Sequence, residues 1–463
     1  MATITAEEAG ASSTQLERDA RALHADGKVA PGEIALGVII GRSSEYFDFF
    51  VFGIAAVLVF PYVVFPFVEP LAGTLYAFGV FALAFVVRPL GSAAFLAIDR
   101  RYGRGTKLTI ALFLLGTSTV LLGFLPGYAT VGSWSIVLLA LCRIGQGLAL
   151  GGAWDGLASL LALNAPKERR GWYACLPQLG APIGFMLASG LFAFFYASLA
   201  PDDFLGWGWR YPFFVAFTIN VVALFARLRL VATDEYARLF EARELQPITV
   251  RALFRARART VLIGAFVPLG SFALFHLVSV FPISWIVLFT DRAAGEFMMV
   301  QFVGAGIAAG GILFSGLIAD QIGRRTTLAV TGGMLVLFAL GSILAPLLFG
   351  DSLAGQTVYV IAGFGLLGLS YGQTAGAVSD EFGPRYRYTG AAITSDLAWI
   401  VGAGFAPLVA LSLSSRYGLA WVGVYLLSGA ICTLAALGIN RRLAAREGRD
   451  RQGTEAVGGH PAS

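Results

Sequence analysis

Polar residues interrupt this chain at intervals of about one membrane thickness. A helix needs roughly 20 mainly apolar residues to cross the hydrocarbon core of a bilayer. On that measure the pattern predicts twelve spans, at residues 33–60, 72–98, 108–125, 133–163, 171–197, 210–230, 260–290, 297–319, 327–349, 355–380, 389–413 and 419–440. The expected fold class is therefore an all-α membrane protein. The longest polar interruption, 231–259, has six predicted spans on either side. The chain then divides into a tail (1–32), a six-helix half (33–230), a linker (231–259), a second six-helix half (260–440) and a second tail (441–463). The linker mixes Arg238, Arg243, Arg251, Arg255, Arg257 and Arg259 with Glu235, Glu241 and Glu244, and is expected to lie partly helical on the membrane surface. The last tail is basic, then Gly-rich, and reads as disordered.

A signature repeats 220 residues apart. The second copy reads Gly316-Leu-Ile-Ala-Asp320-Gln-Ile-Gly323-Arg324-Arg325-Thr-Thr-Leu328, and the first reads Asp99-Arg-Arg-Tyr-Gly103-Arg104-Gly-Thr-Lys107-Leu108. A long internal repeat in an apolar chain points to two similar halves with a transport site between them. Glycines recur at four-residue spacing in Gly147/Gly151, Gly152/Gly156, Gly180/Gly184, Gly306/Gly310 and Gly372/Gly376. Such stripes let helix backbones approach closely, either as static packing or as faces that slide. Pro177, Pro182, Pro268, Pro282 and Pro407 each lack a helix donor, so irregular backbone is expected near them.

Composition agrees with the span pattern. The chain is 57% apolar and 13% charged, against about 25% charged in soluble domains. Charge also sets an orientation. With both termini placed in the cytoplasm, Arg210, Arg292 and Arg416 fall outside and Arg42, Arg88 and Arg143 fall deep within spans, so the other 27 of 33 Lys/Arg, counting Arg227 and Arg229 at the cytoplasmic end of their span, lie on the cytoplasmic side. The positive-inside rule favours that topology. The basic balance is thus a membrane signal, and no soluble domain suited to nucleic acid is visible. Residues 1–32 do not read as a secretory signal. Cys142, Cys175 and Cys432 lie within predicted spans and lack metal-ligand spacing. No nucleophile–base pair, phosphate loop or metal cluster suggests an enzyme.

The two signatures resemble the loop motif of the major facilitator superfamily. The second matches G-x-x-x-D-x-x-G-R-R-x-x-L throughout. In the first, Asp99 is one residue too far from Gly103 and Phe95 replaces a Gly. A narrower resemblance, to the metabolite:proton symporter family of dicarboxylate, citrate, shikimate and proline/betaine carriers, rests on an ordered series. Glu45-Tyr-Phe-Asp48-Phe-Phe is similar to E-W-Y-D-F-F, and Arg88-Pro-Leu-Gly91 to R-P-L-G. Arg143-Ile-Gly-Gln-Gly147 through Gly151-Gly152 resembles R-x-x-Q-G-x-x-x-G-G-E. Trp207-Gly-Trp-Arg210-Tyr-Pro-Phe213 resembles W-G-W-R-x-P-F, and Phe382-Gly-Pro-Arg385-Tyr-Arg387-Tyr-Thr-Gly390 resembles F-P-T-R-V-R-Y-T-G. The chain departs at Ala153, where the family has Glu, with Asp155 following, and at Arg42, where the family has Asn. The resemblance implies the major facilitator fold, and it links Arg143, in an R-x-x-x-G pattern, to proton coupling.

A charged side chain at the centre of a bilayer costs about 2.5–3.5 kcal/mol on insertion scales, so each one is a functional candidate. Glu45 and Asp48 share one helix face and are the candidate proton carriers, together with Arg143. Arg42 lies one turn before Glu45, so an intrahelical pair is expected there. Arg42 facing Asp155 across the cavity would replace the lost family carboxylate. Arg88, Trp154, His276, Asp396 and Trp399 complete the candidate substrate-binding set. Asp99, Arg104, Asp320, Arg324, Arg325, Asp380, Arg385 and Arg387 form a candidate cytoplasmic gate built on charge-assisted hydrogen bonds.

The sequence therefore points to a secondary active transporter in a bacterial inner membrane. It is expected to import a small polar metabolite, foremost an organic acid, by proton symport as a monomer within the lipid bilayer. No cofactor is expected beyond the proton gradient, and no metal. A drug/proton antiporter of the same fold and a transporter-like sensor are the alternatives. The stretch Leu179-Gly-Ala-Pro182-Ile-Gly184-Phe fits the symporter pattern better than the antiporter motif G-x-x-x-G-P-x-x-G-G.

Overall fold

A computed structural model describes residues 31–153, 161, 165–231, 246–345 and 352–458. Among these, eleven helical stretches are long and apolar enough to cross a membrane: α2 (Pro70–Tyr102), α3 (Arg104–Gly123), α4 (Trp134–Gly152), α5 (Arg170–Ser198), α6 (Gly208–Arg229), α7 (Val250–Phe289), α8 (Ala294–Ile322), α9 (Arg324–Leu344), α10 (Leu353–Ser379), α11 (Arg385–Tyr417) and α12 (Ala420–Asn440). The twelfth, α1 (Pro31–Leu58), has 28 residues, roughly 42 Å of helix. It carries Arg42, Glu45 and Asp48 close together in mid-helix.

Helix pairing repeats between the halves. In the first half α1 packs on α5, α2 on α4 and α3 on α6; in the second α7 packs on α11, α8 on α10 and α9 on α12. The halves meet through α5 against α8, α2 against α11 and α1 against α7. Much of the buried apolar cluster lies at this seam, where Phe47, Phe50, Val51 and Phe52 of α1 join Phe275, Val278 and Val280 of α7. Burying apolar side chains adds little between helices already in lipid, so close packing and polar contacts must hold the seam.

Two expectations change. The glycine stripes join helices within one half. A Cβ on Gly147 would meet the Ala84 carbonyl at 2.4 Å, and one on Gly151 would meet the Arg88 carbonyl at 2.4 Å, both on α2. Gly180 and Gly184 abut α1 in the same way, Gly372 abuts Ser315 of α8, and Gly306 and Gly310 meet nothing. The sliding role is therefore not supported at these positions, and Gly156 lies outside the described residues. The last helix does not stop at 440; it continues to Gly458. Its extension is rich in Ala, Arg and Glu, which favour helix despite two interior glycines. The end of the linker is helical from Val250, where α7 begins, and a non-helical Arg257 marks a kink within that helix.

Candidate functional site

On α1, Arg42 Nη1 donates to Glu45 Oε2 at 2.7 Å, the pair expected from the sequence. Glu45 has a second partner, which sequence reasoning missed. Arg227 of α6 donates to Glu45 Oε1 and, at 3.0 Å, to the Ala153 carbonyl. Arg227 had been counted as cytoplasmic, yet only 2% of it is exposed. Gly41 makes room for it, since a Cβ there would lie 2.5 Å from Arg227 Nε. Glu45 and Arg227 thus form a clamp between α1 and α6, with Arg42 as a second cation on the same carboxylate.

One turn further along α1, Asp48 lies in different surroundings. Asn220 Nδ2 of α6 donates to its Oδ2 at 2.8 Å, while Ser44 donates to Asn220 Oδ1. The other carboxylate oxygen, Oδ1, is buried without a hydrogen-bond partner. Nearby on α4, Arg143 is 1% exposed. Its Nε donates to the Phe81 carbonyl at 3.1 Å and its Nη1 to Gln146 Oε1 at 3.0 Å. Gln146 passes the chain on to Thr119 Oγ1 at 2.9 Å. The guanidinium lies 4.2 Å from the ring centre of Phe52 and 4.7 Å from that of Phe81, close enough for cation–π attraction. Arg143 Nη2 has no hydrogen-bond partner. Across the seam, His276 of α7 is fully buried against Phe49 and Phe81, with both ring nitrogens unpartnered.

Arg88 and Asp396, both named as substrate contacts, pair with each other across the seam from α2 to α11 at 2.7 Å. Ser92 adds a second donor to Asp396. Beside them, a small enclosed space is lined by Arg42, Tyr46, Gln178, Thr374, Ser395 and Trp399. Trp399 stacks on Phe272 with centroids 4.3 Å apart. A second, mainly apolar space lies further along the seam, among Phe50, Phe185, Phe275, Phe364 and Leu367. Tyr371 lines both spaces, and its hydroxyl meets that of Tyr46.

Helix irregularities converge here. α5 has a 3-10 turn at Leu176–Leu179, α7 breaks before Leu269 and again at Ser279, α10 breaks between Tyr371 and Thr374, and α11 carries a π-turn at Ile400–Gly404. Pro177, Pro268, Pro282 and Pro407 lie in or next to four of the five breaks. Because Pro282 cannot donate to the Val278 carbonyl, Gln301 Nε2 donates there at 2.8 Å and to the Ser279 carbonyl at 2.7 Å. Irregular backbone at this depth is tolerated where protein buries it or it lines a cavity.

The signature loops close one end of the seam. Gly103 and Gly323 adopt the same left-handed turn, with φ of 82° and 84°. Asp320 Oδ1 accepts from the Gly171 amide at 2.6 Å, and its carboxylate also meets the Trp172 amide, capping the start of α5. Gly171 has to be glycine here, because a Cβ would lie 2.8 Å from the Ala319 Cβ and 2.9 Å from the Gly316 carbonyl. Arg324 reaches Gln373 and the Arg170 carbonyl, while the more exposed Arg325 pairs with Glu381 at 3.1 Å. In the first copy, Asp99 binds Arg104 and Lys107, each at 3.4 Å, and accepts from Tyr388 of α11 at 3.2 Å. Tyr388 supplies the link from α11; Arg385 instead lies over the ring of Tyr386. Arg387 is half-buried on the same helix. The Asp380 side chain, Trp154 and Asp155 lie outside what is described, so the expected Arg42–Asp155 pair has no geometry here.

Asn220, Gln146, Gln178 and Gln301 were all missed. The signal available was an uncharged amide inside an apolar run, which the search for ionisable groups passed over.

The family profile described as Major Facilitator Superfamily matches residues 38–399. The chain is 36% identical over 412 residues to the "Inner membrane metabolite transport protein YhjE" of Escherichia coli K12, covering 88% of this chain and 93% of that one. It is 31% identical over 420 residues to the "Shikimate transporter" of the same strain, covering 87% and 92%. Among solved structures, a D-xylose-proton symporter superposes with a TM-score of 0.67 at 15% identity, covering 88% of this chain and 96% of that one.

Proposed function

The chain belongs to the Major Facilitator Superfamily, and from that premise we propose that it imports a small organic acid together with protons by alternating access. It is an integral membrane metabolite transporter and not an enzyme. The coupling reading rests on one observation, the difference between two carboxylates on α1. Glu45 is held between Arg42 and Arg227 and stays charged as part of the scaffold. Asp48 has one oxygen with no partner and is the group assigned to carry the proton. Arg143 shares the same buried pocket, fixed by Gln146 and the Phe81 carbonyl.

Substrate binding is assigned to the polar space beside Arg42, Gln178 and Trp399. In this conformation the seam is shut on both sides of that space. Asp320 and the Asp99–Tyr388 pair hold the signature-loop end, and Phe50 stacks on Phe275 beyond the cavity. The proposal treats this as an occluded state. Opening toward the cytoplasm would separate Asp320 from Gly171 and Arg88 from Asp396. Both termini are placed in the cytoplasm of a bacterial cell whose inner membrane holds the protein. One chain contains the whole pathway, so a monomer suffices, and the proton gradient is the only driving force required.

Uptake of labelled organic acids into proteoliposomes tests this reading. An inward proton gradient is expected to drive accumulation, and a protonophore to abolish it. Accumulation unaffected by the protonophore would remove proton symport.

A further inference from the structure

The two enclosed spaces lie one above the other along the seam and differ in chemistry. On α1, Arg42 faces one and Phe50 the other, eight residues or roughly 12 Å of helix rise apart. The helices α5, α7 and α10 repeat the same division. Gln178 precedes Phe185, Pro268 and Phe272 precede Phe275, and Thr374 follows Phe364 and Leu367. The first space has a guanidinium, an amide and hydroxyls in its wall. The second has ring faces and aliphatic side chains, and of its lining only Ser279 and Tyr371 carry a polar side chain. Ser279 Oγ is already committed to the Phe275 carbonyl at 2.6 Å. The partition between the spaces is the contact of two phenol hydroxyls, Tyr46 on one half and Tyr371 on the other. Both spaces are small in this conformation, so a ligand joins them only as the Tyr46 and Tyr371 side chains part and each hydroxyl exchanges its partner for a ligand atom.

A second observation points to a ligand. Gln178 is buried, and it donates Nε2 to Thr374 Oγ1 at 3.1 Å. Its Oε1, in the wall of the polar space, is buried with no hydrogen-bond partner. Leaving a buried acceptor unsatisfied is costly, and in the wall of a cavity a bound molecule can supply the missing donor.

We infer that the two spaces are the two ends of one amphipathic site, and that the substrate is a monocarboxylate with a ring-bearing or branched apolar body. This inference rests on the organic-acid reading and narrows it. The carboxylate lies against Arg42, a hydroxyl on the ligand donates to Gln178 Oε1, and the apolar body passes the Tyr46–Tyr371 pair into the ring-lined space. A second carboxylate, or a polyhydroxylated body, would lose its hydration there without receiving hydrogen bonds. The site therefore selects against dicarboxylates, tricarboxylates and sugars.

The test compares four probes, mandelate, hexahydromandelate, succinate and citrate, on the purified full-length protein, by thermal shift and by uptake into proteoliposomes. The two ring acids are expected to bind at least about tenfold more tightly than succinate or citrate, the scale at which an apolar pocket discriminates. Leu367→Asn is expected to collapse that ratio. If the variant does not fold, the wild-type ratio decides alone. Succinate or citrate binding as tightly as the ring acids overturns the amphipathic site and leaves the organic-acid reading standing. Binding of none of the four, with no uptake driven by a proton gradient, overturns both.

Discussion

Glu45 and Asp48 are one helical turn apart on α1, yet their partners differ in kind. Glu45 meets two guanidiniums, from its own helix and from α6. Asp48 meets only neutral groups, the Asn220 amide on one oxygen and the Thr119 hydroxyl nearby, and no cation bonds to it. A carboxylate between two cations has no reason to take up a proton, and removing it leaves charges unpaired. A carboxylate held by an amide can gain or lose a proton without breaking an ion pair. The comparison teaches that position in the membrane does not identify a proton carrier; the surrounding hydrogen bonds do.

The strongest way to break this contrast is Asp48→Asn. Accumulation driven by a proton gradient is expected to vanish, while substrate exchange without a gradient persists, both measured in proteoliposomes. Retained accumulation would move the coupling role elsewhere. Next in size is Glu45→Gln. Breaking a buried ion pair costs about 3–5 kcal/mol, and the lower end is expected because Arg227 keeps the Ala153 carbonyl. The readout is thermal stability, and the protein that remains folded should still couple uptake to protons. Replacing both partners, Glu45→Leu with Arg227→Leu, is expected to recover most of that stability, since removing a buried pair together is far milder than orphaning one member. Strictly additive losses would show that the clamp carries no coupling energy. The smallest effect is expected from Asn220→Ala. It should slow proton-driven uptake severalfold and cost about 1 kcal/mol in stability, the usual net worth of one hydrogen bond. A loss as large as that of Glu45→Gln would erase the distinction between the two carboxylates.

The fold was legible because long apolar runs leave a chain few alternatives in a bilayer. The spans and the repeat followed from spacing along the chain, and the Arg42–Glu45 pair from spacing along one helix. What failed to show were contacts made across helices. Arg227 lies near the polar end of its span and looked like an orientation signal; only the absence of a side chain at Gly41 lets it turn inward. Arg88 and Asp396 each read as a ligand for substrate because nothing in the sequence says that they face each other. The first signature illustrates the opposite case. Its Asp99 is out of register with the motif, yet Gly103 makes the same turn as Gly323, and Lys107 and Tyr388 take up the displaced carboxylate. The backbone turn belongs to the glycine and survives the shift, whereas the carboxylate's partners depend on side chains that the motif does not specify.

The contact between Gly171 and Gly316 leaves no space for one additional carbon. Gly171→Ala would act as a wedge at the mouth of the signature-loop end, holding open a passage that the native chain closes. Such a variant would give a population weighted toward one conformer, suited to raising conformation-selective antibodies and to trapping a state that is transient in the native protein.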